Sequence, residues 1–155
     1  MNDTVFIGID PGKQGGFASY DGEQIWAFKC PDNPQKMSDK LRVTQNNCMI
    51  EGNNLVAYIE RVWAFRNSGT TQAFSFGVNY GMWLGCLGTL KIPYIEVIPK
   101  TWMGHFGDLP KDRQERKQTL KQIAQGLLPE NKVTLATADA ILITHYAREE
   151  YFSDI

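Results

Sequence analysis

The stretch Val5-Phe6-Ile7-Gly8-Ile9-Asp10, followed at once by Pro11-Gly12, constrains this fold more than any other part of the chain. So short and apolar a run presents no face to water. It therefore reads as a central strand covered on both sides and closed by a turn. Residues 15–20 and 24–30 follow, with Asp21-Gly22 between them, a pair suited to a tight hairpin turn. A meander of three strands is thus predicted before residue 31. Leu55 to Glu60 and Pro93 to Ile98 read as two more strands. Helices are predicted around Gln35 to Gln45, over Thr71 to Leu90, within residues 100–128 and from Leu135 to Tyr151. Pro110 suits a first helical turn in the third of these segments. A meander followed by alternating helices and strands implies an α/β fold. Its core is one mixed five-stranded sheet, antiparallel then parallel, flanked by helices.

The chain has 155 residues, enough for one domain spanning 1–155 with a sizeable core, and it carries no repeat or low-complexity linker. Its three cysteines, Cys30, Cys48 and Cys86, are odd in number and form no CxxC pair. That pattern argues against a disulfide framework or a zinc site and fits a reducing, cytoplasmic setting. No basic start followed by an apolar run opens the chain, so no secretory leader is expected. Ala73 to Leu90 has the length of a membrane span, but Asn79 and four glycines dilute it, and no membrane association is expected. Gly77, Gly81 and Gly85 share one helical face, where another backbone element is expected to approach closely. A buried core helix is the prediction.

Two of the predicted strands end on carboxylates, Asp10 and Glu60. If those strands are parallel neighbours, about 4.8 Å apart, both acids emerge at the carboxyl edge of the sheet, the usual ligand site of open α/β folds. A third acid is more telling. Leu135, Ala138, Leu142, Ile143 and Tyr146 mark the apolar stripe of the last helix, and Asp139 falls near its middle. A carboxylate facing a core is costly unless a cation or hydrogen bonds satisfy it, and no lysine or arginine lies one turn away on that helix. Three acids meeting at one point repel one another unless a cation joins them. Oxygen-only ligation suits Mg²⁺ or Mn²⁺, and a pair of such ions can activate water against a phosphodiester. Nuclease chemistry is the leading reading.

Net charge is −1, so charge alone does not mark a nucleic-acid binder. Locally, Lys100, Lys111, Arg113, Arg116, Lys117 and Lys121 outnumber Asp108, Asp112 and Glu115. That run reads either as a basic patch for DNA or, more plainly, as a solvated helix face. After Glu60, Arg61, Trp63, Phe65 and Arg66 interleave charge and aromatic rings, a mixture suited to phosphate contact and base stacking.

Four short motifs occur together: Ile7-Gly8-Ile9-Asp10-Pro11-Gly12, Ile59-Glu60-Arg61-Val62-Trp63, the glycine-striped segment from Thr71, and Ala138-Asp139-Ala140. In this order the chain resembles RuvC-type Holliday junction resolvases of the ribonuclease-H-like superfamily over nearly its whole length. The resemblance implies a ribonuclease-H-like fold and an endonuclease that nicks four-way DNA junctions. It implies Asp10, Glu60 and Asp139 as metal ligands, two Mg²⁺ or Mn²⁺ ions per site, and a homodimer built near the helix from Thr71. It also implies Trp63 as a wedge near the crossover and Lys100 and Lys117 near the scissile phosphate, with Lys117 in a catalytic role. One departure stands out. The family carries an acid or histidine three residues before the helical Asp, and here that residue is Ala136. His145, six residues beyond Asp139, falls on a different face, and His145 and His105 read as surface or boundary residues.

Other readings remain at this point. The same acids would serve a nuclease acting on other branched DNA or on RNA, and Ala136 would suit a junction-binding protein that does not cut. An actin-like phosphotransferase also carries Asp-x-Gly in its first hairpin, but needs two such domains to enclose ATP. No nucleotide cofactor is therefore expected.

Overall fold

The computed structural model describes residues 3–64 and 67–153. Its elements are β1 (Thr4–Asp10), β2 (Gly16–Tyr20), β3 (Ile25–Lys29), α1 (Pro34–Glu51), β4 (Asn54–Glu60), α2 (Thr70–Thr89), β5 (Tyr94–Val97), α3 (Pro99–Gly104), α4 (Arg113–Leu127) and α5 (Leu135–Ser153). The strands lie in the order β3-β2-β1-β4-β5. β1 pairs antiparallel with β2 and β2 with β3, while β1 and β4, and β4 and β5, run parallel. The mixed five-stranded sheet predicted above is what forms.

Strand alternation sends side chains to two layers. Ile7, Ile9, Phe17, Ala57 and Ile59 pack with Met37, Leu41, Trp83 and Leu87 of α1 and α2. Phe6, Ala18 and Tyr58 pack on the other face with Trp102, Leu120 and the buried side of α5. On that second face the helix lies unusually close. A Cβ at Gly8 would stand 2.3 Å from the Ala140 carbonyl oxygen and from Thr144 Oγ1, and one at Gly16 would stand 2.4 Å from the Ala136 carbonyl oxygen. Only glycine leaves room for α5 there, and that contact sets the helix over the end of β1.

Several expectations need correction. α1 runs well past Gln45: Asn33 caps its start by accepting from the Lys36 N–H, Pro34 occupies the first turn, and Gly52 ends it at φ 74°. Only Met37, Leu41 and Cys48 are buried along it, so its apolar pattern was too sparse to show the full length. Pro110 precedes α4 rather than opening it, because Asp112 is the cap; beside Pro34, the proline in a first turn is Pro99, in α3. α2 is not buried all round. Asn79, Trp83 and Leu87 face the sheet, whereas a Cβ at Gly77, Gly81 or Gly85 would meet nothing within 4 Å. The close approach expected at the α2 glycines occurs at Gly8 and Gly16 instead. Along α5, Leu135 is exposed, while the helix beyond it is buried on several sides between the sheet and α4. Among the described residues no helix is long and apolar enough to cross a membrane.

Candidate active site

Ile9 of β1 pairs with Ile59 of β4, so the residues that follow, Asp10 and Glu60, sit side by side at the carboxyl edge. Both share strand parity with Gly8 and Tyr58, which face the α5 layer, so both acids face it too. Asp139 lies on α5 between Ala136 and Ala140, whose carbonyls press on Gly16 and Gly8. The three carboxyl groups thus line one cavity of about 1060 Å³. Its rim includes Arg61 and Trp63 after β4, the loop from Pro11 to Gly15, the first turns of α2, Met103 of α3, and Arg113, Arg116 and Lys117 of α4.

The three acids lie close enough to act on one another's ionisation. Burial, then Asp139 and Glu60, hold the Asp10 carboxyl well above its ordinary 3.8, with Lys117 opposing. Burial pushes Glu60 from 4.5 up to about 7, against a hydrogen bond from Trp102; Asp139 raises it further and Lys117 lowers it. Asp139 rises from 3.8 to about 6 through burial, countered by Lys117 and Arg116. Among the described residues the ion pairs are Lys36–Asp32 and Arg148–Glu149, both remote from this cavity. Among the described residues, then, no salt bridge neutralises the cluster. The donor set is hard oxygen only, which fits a divalent cation of the magnesium type. Among the described residues, though, no three His, Cys, Asp or Glu side chains are gathered tightly enough to ligate one ion as they stand. The acids share a cavity, not a closed coordination sphere.

Of the residues named from sequence, Asp10, Glu60, Asp139, Arg61, Trp63, Arg113, Arg116 and Lys117 line the cavity. Lys100 and Lys111 are exposed and lie outside that lining. α3 directs Met103, not Lys100, into the wall. Phe65 and Arg66 fall outside the described residues. Trp63 is 44% exposed, with the Arg61 guanidinium 5.1 Å from its ring centre, so it does not pack beneath its loop. Ala136 offers no side-chain donor, and it is absent from the cavity wall. His105 and His145 pack against each other, ring centres 6.2 Å apart, away from the acids.

Two polar contacts were missed. Trp102 Nε1–H donates to Glu60 Oε2 at 2.7 Å, and the Gly12 N–H donates to Asn79 Oδ1 at 2.7 Å. Gly12 sits at φ +114°, where a side chain would also strike the Phe76 ring, so the loop after Asp10 is pinned to α2. The signal for Asn79 was present: one amide in an otherwise apolar helix face needs a partner.

Fold and site together define a mixed five-stranded sheet of ribonuclease-H-like fold with three carboxylates at one cavity. The chain aligns with T. thermophilus RuvC solved in complex with a Holliday junction substrate, at TM-score 0.67 and 15% identity, over 97% of this chain and 96% of that one. It also aligns with another Thermus thermophilus RuvC structure at TM-score 0.55 and 17% identity, over 94% and 96% of the two chains. No protein-family model and no curated protein matches it in sequence. The likeness is one of fold.

Proposed function

We propose that this chain is a RuvC-type resolvase, a metal-dependent endonuclease that nicks four-way DNA junctions by phosphodiester hydrolysis. The observation that carries the reading is that Asp10, Glu60 and Asp139, from two strands and a helix, open on one cavity with a basic wall. That a protein of the same fold was solved with a Holliday junction supports a branched-DNA substrate. Asp10, Glu60 and Asp139 would hold Mg²⁺ or Mn²⁺, and a bound pair of ions would supply an activated water and stabilise the leaving oxygen.

The protein's own groups do the rest. Lys117 presents a fixed positive charge to the same cavity, suited to neutralising charge that develops on the scissile phosphate. Arg61, Arg113 and Arg116 hold the backbone in register. Trp63 wedges between bases at the crossover, where stacking is already broken and unstacking costs least. Phe65 and Arg66 would add to DNA contact, Lys111 would meet backbone phosphates, and Lys100 would approach the scissile phosphate. The chain acts as one domain, in the cytoplasm, as a homodimer matched to the two symmetric strands of a junction. The uncharged helix α2, with its open glycine face and exposed Phe74 and Val78, supports a second copy docking there.

The test is Mn²⁺-dependent nicking of a four-way junction beside flap and linear duplexes, with sedimentation of the free protein. Equal affinity for all three DNAs counts against a resolvase, and a monomer at all concentrations counts against the dimer. Tight junction binding without nicking, even at high protein excess, would favour a second reading that Ala136 motivates: a binding protein that does not cut.

A further inference from the structure

The geometry points to Trp102 as a positioning residue for Glu60, its indole N–H holding one carboxylate oxygen so that the other is offered to a metal ion. The inference rests on the metal-dependent reading above and deepens it. Trp102 is fully buried in the short helix α3, directly after the edge strand β5. Its ring meets Phe106 edge-on, centres 6.4 Å apart. An indole N–H is a donor only, and buried without an acceptor it would carry a desolvation cost. Here it finds Glu60 Oε2 at 2.7 Å, across 42 positions of sequence. A charge-assisted bond of that length is short and directional. It engages Oε2 and leaves Oε1 as the remaining donor of this carboxylate.

The arrangement also explains why a large aromatic residue stands at this point. Glu60 ends a strand, and a glutamate there has three side-chain torsions to settle. Its two neighbouring acids repel it, and among the described residues no ion pair restrains it. A rigid, fully packed donor fixes one oxygen where a lysine or water would leave it mobile. Outer partners of this kind orient metal-ligating carboxylates, and their loss lowers metal affinity by about 10–100-fold.

The experiment is Mn²⁺ binding to the full chain without DNA, by calorimetry, for the wild type, Trp102→Phe and Phe106→Leu. Trp102→Phe keeps an aromatic ring and removes the donor, so affinity should fall about 10–100-fold. Phe106→Leu disturbs packing on the same ring without touching the N–H, and should stay within about twofold of the wild type, well short of that loss. A Trp102→Phe protein that binds Mn²⁺ as the wild type does overturns the inference, as does an equal loss from Phe106→Leu. Should Trp102→Phe fail to fold, the wild type still decides. Its assigned Trp102 indole resonance must shift as Mg²⁺ is titrated, and a resonance that ignores saturating Mg²⁺ overturns the assignment. A wild type that binds neither ion removes the metal-dependent reading itself, a different result from binding that is indifferent to Trp102.

Discussion

Replacing Glu60 with glutamine should stabilise the metal-free protein above neutrality, although Glu60 belongs to the site. Burial and the neighbouring Asp139 push its carboxyl from 4.5 to about 7 in the folded state. The sign follows from proton linkage. Between those two values the native state binds more protons than the unfolded state, so stability falls as pH rises through the window. At about 1.4 kcal/mol for each tenfold change in ionisation, the full cost approaches about 3.5 kcal/mol above the window. Glutamine keeps the shape and still accepts from Trp102, but carries no charge. In a chelator near pH 8, Glu60→Gln should therefore exceed the wild type by up to about 3.5 kcal/mol, or roughly 7–14 °C in melting temperature. At about pH 4 the two should coincide. Excess Mg²⁺ near pH 8 should reverse the order, because on the proposed function the ion would bind the folded carboxylate cluster and stabilise only the protein that retains it. Thermal unfolding at both pH values, with chelator and with Mg²⁺, checks each arm. A variant no more stable than the wild type near pH 8, or equally stabilised near pH 4, would refute the reasoning.

Asp10→Asn and Asp139→Asn should each abolish junction nicking while leaving junction affinity nearly unchanged, measured by gel shift beside a cleavage time course. Trp63→Ala should reduce junction distortion, followed by energy transfer between labelled arms, more than it reduces affinity for linear duplex; equal losses would mean the ring is no wedge. Gly8→Ala should destabilise the fold by about 1–3 kcal/mol, because its methyl group meets backbone of α5. Gly81→Ala, which meets open space, should instead stabilise the monomer by about 1 kcal/mol, and urea unfolding of the pair compares them directly.

What could be read along the chain was whatever repeats or ends locally. The run closing on Asp10, the Asp21-Gly22 turn, the strand ending on Glu60 and the acid within the α5 stripe each lie inside a few residues, where periodicity and turn chemistry act. That was enough for the mixed sheet and the three acids. Folding decided what depends on neighbours distant in sequence. Spacing placed three glycines of α2 on one face but could not say whether anything lay against it, whereas Gly8 and Gly16, which carry no periodic mark, turned out to admit α5. The basic run looked uniform until α4 brought Arg113, Arg116 and Lys117 to the cavity wall and left Lys100 and Lys111 off it. Trp102 gave no local sign of its partner, because a hydrogen bond across 42 positions exists only once β4 and α3 have been brought together. Local rules set the backbone's path and the position of each acid; close approach between elements chose their partners.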